Sequence, residues 1–158
     1  MPELRPINAA FDRWDDLLEL ILQSFAYMDP IIDPPSSAKR LTAPLLKDKA
    51  AQELGFVVTD GGKLLGCMFC KPEPDSLYIG KFAVHPQAQG RGIGRQLLMA
   101  AEEEARSRGL GNLRLETRIE LTGNHRRFAG WGFVRTAEKS HPGFERITFI
   151  EMRKRLDG

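Results

Sequence analysis

The chain is short of the features that would place it in several large classes. It has two cysteines and three histidines in 158 residues, and its 23 basic and 21 acidic side chains leave a formal charge of only +2. A protein built to coat nucleic acid carries a clear basic excess, so this balance argues against that class. No segment approaches the roughly 20 apolar residues that span a bilayer, so no membrane partner is expected. The opening "MPELRPINAAFDRWDD" has early acids and no apolar signal core, which predicts a cytoplasmic protein rather than a secreted one. Repeats, linkers and low-complexity tracts are absent. Two common phosphate motifs are missing as well. Counted from Gly90 or Gly92, the last glycine of a dinucleotide G-x-G-x-x-G pattern would fall on Arg95 or Leu97. The Gly-Lys-Ser/Thr of a nucleoside triphosphate loop does not occur.

The two cysteines, Cys67 and Cys70, sit in "LLGCMFCK". Cys-x-x-Cys invites a redox or metal-binding reading. The flanking residues read as a strand, however, and residues three apart on a strand point to opposite faces. Two buried, reduced thiols and no bound metal are the expectation.

What is present is an ordinary globular composition, 42% hydrophobic and 28% charged. The length favours one domain covering residues 1–158. "ELRPINA" reads as a short strand. An amphipathic helix is predicted over 11–28, with Leu17, Leu18, Ile21, Leu22 and Phe25 on one side. Pro30, Pro34 and Pro35 stop it. A weaker helix is predicted over 37–52, with Pro44 a kink. Strands follow at "LGFVVTD", "KLLGCMFCK" and "SLYIGKFAV", the first two joined by a tight turn at Gly61-Gly62. Next comes a helix from about Gly92 to Arg108, capped by Gly109. The chain closes with a strand "NLRLET", a short helix or turn at "GNHRRFAGWG", and strands "FVRTAEKS" and "FERITFIEMRKRL". This order describes one mixed α/β layer structure.

The helix after "AVHPQAQGRGIG" begins in the residues least suited to it. It is well specified further on, because Ile93, Leu97, Ala101 and Ala105 line one face and Glu102–Arg106 and Glu104–Arg108 pair at i, i+4. The glycines therefore serve something else. A helix N-terminus leaves several N–H groups without partners and carries a partial positive charge, which together favour phosphate. Glycine gives an anion access to those groups, and Arg91 and Arg95 add charge beside them.

The run Gln89-Gly90-Arg91-Gly92-Ile93-Gly94 resembles the Q/R-x-x-G-x-G/A acetyl-coenzyme A signature of the GNAT family of N-acetyltransferases. The likeness extends back through "LYIGKFAVHP" and forward through "LLMAAEEEARSRG" to "LRLETRIELTGNHRRFAGWGF". It implies a mixed, mostly antiparallel sheet of about six to seven strands flanked by about four helices. It also implies acetyl-coenzyme A as co-substrate. The strand through Phe82, Ala83 and Val84 would receive the pantetheine arm on its backbone. N–H groups from Gln89 to Arg95 would hold the pyrophosphate, and Asn124 and Phe128 would contact the arm. The acetyl thioester would lie between the strands ending at Val84 and Thr117.

The catalytic groups that the resemblance implies are not in their usual places. Many relatives have a tyrosine acid where this chain has Phe128, and some have a glutamate base where this chain has Tyr78. Glu116, at a strand end near the expected reaction centre, is a candidate base, with a solvated carboxylate the alternative. Tyr78 is a candidate donor or water-orienting group. An unperturbed histidine titrates in a range suited to acid–base work, but His125 sits near a helix start, and His85 and His141 read as turn residues. Asp29 and Asp33 could attract a cationic amine at the acceptor pocket, against a bland reading as solvated loop acids. The acceptor implied is a primary amine on a small molecule or peptide, and a homodimer is compatible. The main rival is a non-catalytic acyl-coenzyme A-binding module of the same fold. A single-stranded nucleic-acid binder using Arg126, Arg127, Phe128 and Trp131 is a remote third.

Overall fold

The computed structural model describes residues 1–157. Seven strands form one sheet in the order β1-β2-β3-β4-β5-β7-β6. They are β1 (Glu3–Pro6), β2 (Leu54–Asp60), β3 (Lys63–Pro72), β4 (Ser76–Val84), β5 (Asn112–Arg118), β6 (Val134–Lys139) and β7 (Phe149–Arg155). All neighbours are antiparallel except β4 and β5. Four helices accompany them: α1 (Trp14–Phe25), α2 (Ala43–Gln52), α3 (Ile93–Ser107) and α4 (Thr122–Gly130). The mixed, mostly antiparallel α/β sheet with four helices is the fold the resemblance implied.

Several boundaries differ from the sequence reading for local reasons. Helix α1 ends at Phe25 and passes into a 3-10 turn over Ala26–Met28. Its buried stripe is Leu17, Leu20, Ile21 and Ser24, while Leu22 is 39% exposed. The expected stripe was therefore rotated: the i, i+3, i+4, i+7 series from Leu17 runs through Leu20 and ends on a serine. The expected helix over 37–52 is two pieces, a 3-10 turn at Ser37–Arg40 and α2. Pro44 does not kink α2. It lies in its first turn, where a missing N–H costs nothing, and the Thr42 hydroxyl caps the start by accepting from the Leu45 N–H. Gly61 and Gly62 make the β2–β3 turn with φ of +59° and +81°, the left-handed backbone such a hairpin requires.

The sheet separates two cores. Helix α3 and Phe128 of α4 cover one face with Leu77, Ile79, Leu113, Leu115 and Ile150. Helices α1 and α2 cover the other over β2 to β4, with Val57, Leu64, Phe69 and Ala83. Cys67 belongs to the second core and Cys70 to the first, so the two thiols lie on opposite faces as expected. Burial pushes both thiols up to about 12, which leaves them protonated and unreactive at neutral pH. No helix among the described residues is long and apolar enough to cross a membrane.

Candidate active site

The site follows from one interruption in the sheet. Strands β4 and β5 pair in parallel only over Ser76–Tyr78 and Asn112–Arg114, then part. From Ile79 and Leu115 onward their facing edges border a cavity of about 240 Å³. Backbone N–H and C=O groups on those edges have no ladder partner across the gap, and buried groups of this kind seek one. Strand β4 also bulges there. Cys67 faces Ala83 but Phe69 faces Gly80, so β4 carries an extra residue. Lys81 takes φ +49° at the bulge, the one non-glycine residue with positive φ among the described residues. A side chain held in that region marks a backbone over-determined by its surroundings and re-aimed toward the gap.

The alternation of the strands assigns each side chain to a face. Leu113, Leu115 and Thr117 share the α3/α4 face of β5, opposite Met152 and Ile150 of the same core. Arg114, Glu116 and Arg118 point to the other face. Asn124, Arg127 and Phe128 of α4, and Gln89 before α3, line the cavity.

At the start of α3 the three glycines divide into two roles. Gly90 and Gly92 have φ of +83° and +78°, and a Cβ on either would meet nothing within 4 Å. Those are open positions where a ligand can approach backbone N–H groups. Gly94 is different: a Cβ there would stand 3.1 Å from Trp131 and 3.4 Å from Phe82. It is a packing glycine that lets the aromatic cluster seat against α3, which corrects the reading of all three as ligand clearance. Ile93 is buried in the core, so only its backbone faces outward. Arg91 is not a free cation, because its Nη2 lies 2.7 Å from the Asp60 carboxylate. Arg95 is exposed and forms no ion pair among the described residues.

Phe128 is 8% exposed and packs edge-on against Phe82, Trp131 and Phe133 at 5.8, 5.7 and 5.7 Å. Trp131 is part of this cluster and also packs edge-on against Phe82. Three buried polar side-chain atoms lack a hydrogen-bond partner among the described residues: Ser24 Oγ, Thr117 Oγ1 and one Glu120 oxygen. The first two line the cavity. An unpartnered buried hydroxyl costs about 1–3 kcal/mol, so a cavity flanked by two is built for a polar guest. The sequence reading missed both. The signal was present: each is a polar residue on an otherwise apolar buried period of its helix or strand.

A second cavity of about 500 Å³ shares Tyr78, Glu116, Thr117 and Arg118 with the first. Glu116 accepts from Arg114 at 3.2 Å and Lys139 at 3.4 Å, so it is a paired carboxylate rather than a solvated strand end. The Arg114 guanidinium lies over the Tyr78 ring at 4.5 Å. Burial, with the Glu116 carboxylate beside it, pushes the Tyr78 phenol up to about 12. Tyr78 is therefore a proton holder and donor at neutral pH, not a base. Asp29 and Asp33 do not wall this cavity. Asp29 pairs with Lys39 at 3.7 Å and Asp33 with Arg146 at 3.4 Å, and neither lines either cavity. The expectation that they attract the amine is corrected. The cavity is lined instead by Arg40 and Arg118, with Arg118 donating to the Pro34 and Pro35 carbonyls.

The histidines have structural partners. His85 accepts from the Gln87 N–H, His125 Nε2 meets the Arg118 carbonyl at 2.8 Å, and His141 is bonded to the Thr148 hydroxyl. A larger hollow of about 750 Å³ lies by β1 and β2 and shares no residue with the gap between β4 and β5.

Known proteins share this fold. Residues 14–133 match the sequence profile of the Acetyltransferase (GNAT) family. A mycothiol acetyltransferase of Rhodococcus erythropolis is 35% identical over 94 residues, covering 56% of this chain and 31% of that protein. The chain thus spans about a third of the length of that curated relative. The PaiA N-acetyltransferase of Thermoplasma acidophilum, solved with coenzyme A, superposes with a TM-score of 0.77 at 16% identity over 98% of this chain and 99% of that one. A GNAT acetyltransferase of Elizabethkingia anophelis, solved with acetyl-coenzyme A bound, gives 0.68 at 20% identity over 98% of each chain. With the profile covering the parted strands, the glycine turn and α4 together, the chain belongs to the GNAT family of acetyltransferases.

Proposed function

We propose that this protein moves an acetyl group from acetyl-coenzyme A to a primary amine of a small molecule or peptide, across the gap between β4 and β5. One observation carries this reading: two neighbouring cavities meet at Tyr78, Glu116, Thr117 and Arg118, where the strands part. The residues fit the coenzyme. The free edge of β4 at Phe82, Ala83 and Val84 suits the amides of a pantetheine arm as an added strand would. The open backbone from Gln89 to Arg95 suits a pyrophosphate. Asn124 and Phe128 border the same cavity.

Bound acetyl-coenzyme A would supply an acyl carbon carrying a thiolate leaving group. The chain's part is to orient, to exclude water, to accept the proton the amine sheds and to stabilise the departing thiolate. Glu116 takes the proton that the amine sheds, directly or through water, while Arg114 and Lys139 hold its carboxyl group in place. Tyr78 holds its proton and orients the amine side. Phe128 shields the arm from solvent. The unpartnered Thr117 hydroxyl, on the same face as Phe128, donates a hydrogen bond where thiolate charge develops, a task the phenylalanine cannot do.

The test is thiol release from acetyl-coenzyme A with a broad panel of amines, with product mass read in parallel. Acetylated amine equal to thiol released supports the reading. Phe128 favours the rival, a module that holds acyl-coenzyme A without turnover. Tight coenzyme binding with no transfer to any amine would establish that rival instead.

A further inference from the structure

The charges lining the two connected cavities are unequal, and this says what the acceptor carries. Three cations border them on the α1/α2 side: Arg40, Lys81 and Arg118. None has a carboxylate within 4 Å among the described residues, whereas Asp29, Asp33, Asp60 and Glu151 are all in ion pairs. Lys81 donates to the Ser37 hydroxyl at 3.1 Å, a neutral partner. Arg118 donates to two backbone carbonyls, also neutral, and keeps other N–H donors free. Arg40 is exposed and unengaged. The one carboxylate on the same walls, Glu116, is already shared between Arg114 and Lys139. The acceptor side therefore holds uncompensated positive charge, which a polyamine or other polycation would not enter.

Part of the remaining wall is aromatic and apolar, beside Ser36, Ser37 and His141. Phe144, Phe149 and Pro35 line the 500 Å³ cavity, and Phe149 is buttressed by His141 at 4.9 Å between ring centroids. Resting on the acetyl-transfer reading above, we propose that the acceptor is a primary amine that also bears a carboxylate on an apolar body, an apolar or aromatic amino acid or a close derivative. Its amine lies toward Glu116 and Tyr78, its carboxylate toward Arg40 and Arg118, and its side chain against the aromatic and proline walls. Guanidinium groups suit this task because their planar donors match a carboxylate in pairs.

The experiment compares phenylalanine, phenylalaninamide and phenethylamine, which keep the amine and ring but differ in the carboxylate. Thiol release is measured for each with the wild-type protein, Arg40→Ala and Arg40→Lys. A charge-assisted contact corresponds to a preference for the acid of about 10-fold or more in kcat/KM. Arg40→Ala lowers kcat/KM for the acid about 10-fold more than for the amide, through KM, and Arg40→Lys restores part of the difference. Equal or better use of the amide or phenethylamine, or equal losses on all three in Arg40→Ala, overturns the carboxylate assignment. Calorimetry of the acid and the amide against the protein saturated with coenzyme A gives the same decision without turnover. If polyamines are acetylated and the acids are not, the carboxylate inference fails while the acetyltransferase reading stands. If no amine is acetylated, the parent reading fails, and the calorimetric comparison alone decides whether the cavity selects a carboxylate.

Discussion

The two faces of the β4–β5 gap are built differently. The proposed coenzyme face comes largely from one continuous stretch, from Phe82 at the bulge of β4 to Arg95 in the first turn of α3, and its key groups are backbone atoms. The proposed acceptor face is assembled from four separated stretches around Arg40, Tyr78, Glu116 and Phe149, and its key groups are side chains. A site made of contiguous backbone needs a particular local geometry, so it writes itself into sequence as glycines at fixed spacing. A site made of side chains from distant segments leaves no such spacing, and any one of those residues alone looks ordinary.

The largest expected effect separates these faces most sharply. Gly92→Val should lower coenzyme A affinity by at least about 100-fold, the equivalent of roughly two charge-assisted hydrogen bonds. Strain alone does not account for such a loss, and Gly61→Val is the control. Gly61 shares the positive φ and the empty surroundings but lies in the β2–β3 turn. Both variants should lose thermal stability, and only Gly92→Val should lose coenzyme binding in calorimetry. Parallel losses of affinity would mean that the glycine turn acts through folding.

Next in size is Glu116→Gln on the acceptor face. It preserves shape and removes basicity, so kcat should fall by roughly 100-fold, in line with general-base contributions. Coenzyme affinity should hold. Turnover within about twofold of wild type from pH 6 to 9 would show that Glu116 is not the base, a limit set by that same expected contribution. Tyr78 stays protonated up to about 12, so its ionisation should produce no limb in the pH profile over that range.

How much of this was readable before folding can be followed residue by residue. The element order, the hairpin at Gly61-Gly62, the opposed thiols and the α3 face were legible because each depends on local periodicity or local turn chemistry. Ser24 and Thr117 were not singled out, although a polar residue on a buried period is itself a signal. The release of Asp29 and Asp33 from the acceptor wall was not legible, because their partners Lys39 and Arg146 lie 10 and 113 residues away in sequence. Gly94 shows a different limit. It sits in the motif, yet its reason is Trp131, 37 positions on, where only the folded helix pair brings the ring against it.

Smaller effects test the coenzyme face more finely. Thr117→Val keeps the shape and removes the donor. It should raise the thiol pKa of bound coenzyme A, followed by thiolate absorbance against pH, by about one unit, as expected for the loss of one hydrogen bond to a charged acceptor. An unchanged thiol pKa would remove Thr117 from the leaving-group side. The smallest effect concerns the arginines. Arg95→Ala should weaken coenzyme A a few-fold more than a pantetheine fragment without phosphates, since a solvent-exposed charge contributes up to about 1 kcal/mol. Arg91→Ala should show less discrimination, because Arg91 is held by Asp60. Equal losses for both ligands in Arg95→Ala would assign Arg95 to folding rather than phosphate.

The central claim is that donor and acceptor meet through the gap between β4 and β5, with the coenzyme on the α3/α4 face. A crystal structure of the protein with coenzyme A bound tests it most directly. The account predicts the pantetheine amides on the free edge of β4 at Phe82 and Val84, the pyrophosphate on backbone N–H groups between Gln89 and Arg95, and the thiol beside Thr117. Coenzyme A seated in the hollow by β1 and β2, or with its thiol remote from the parted strands, would contradict it.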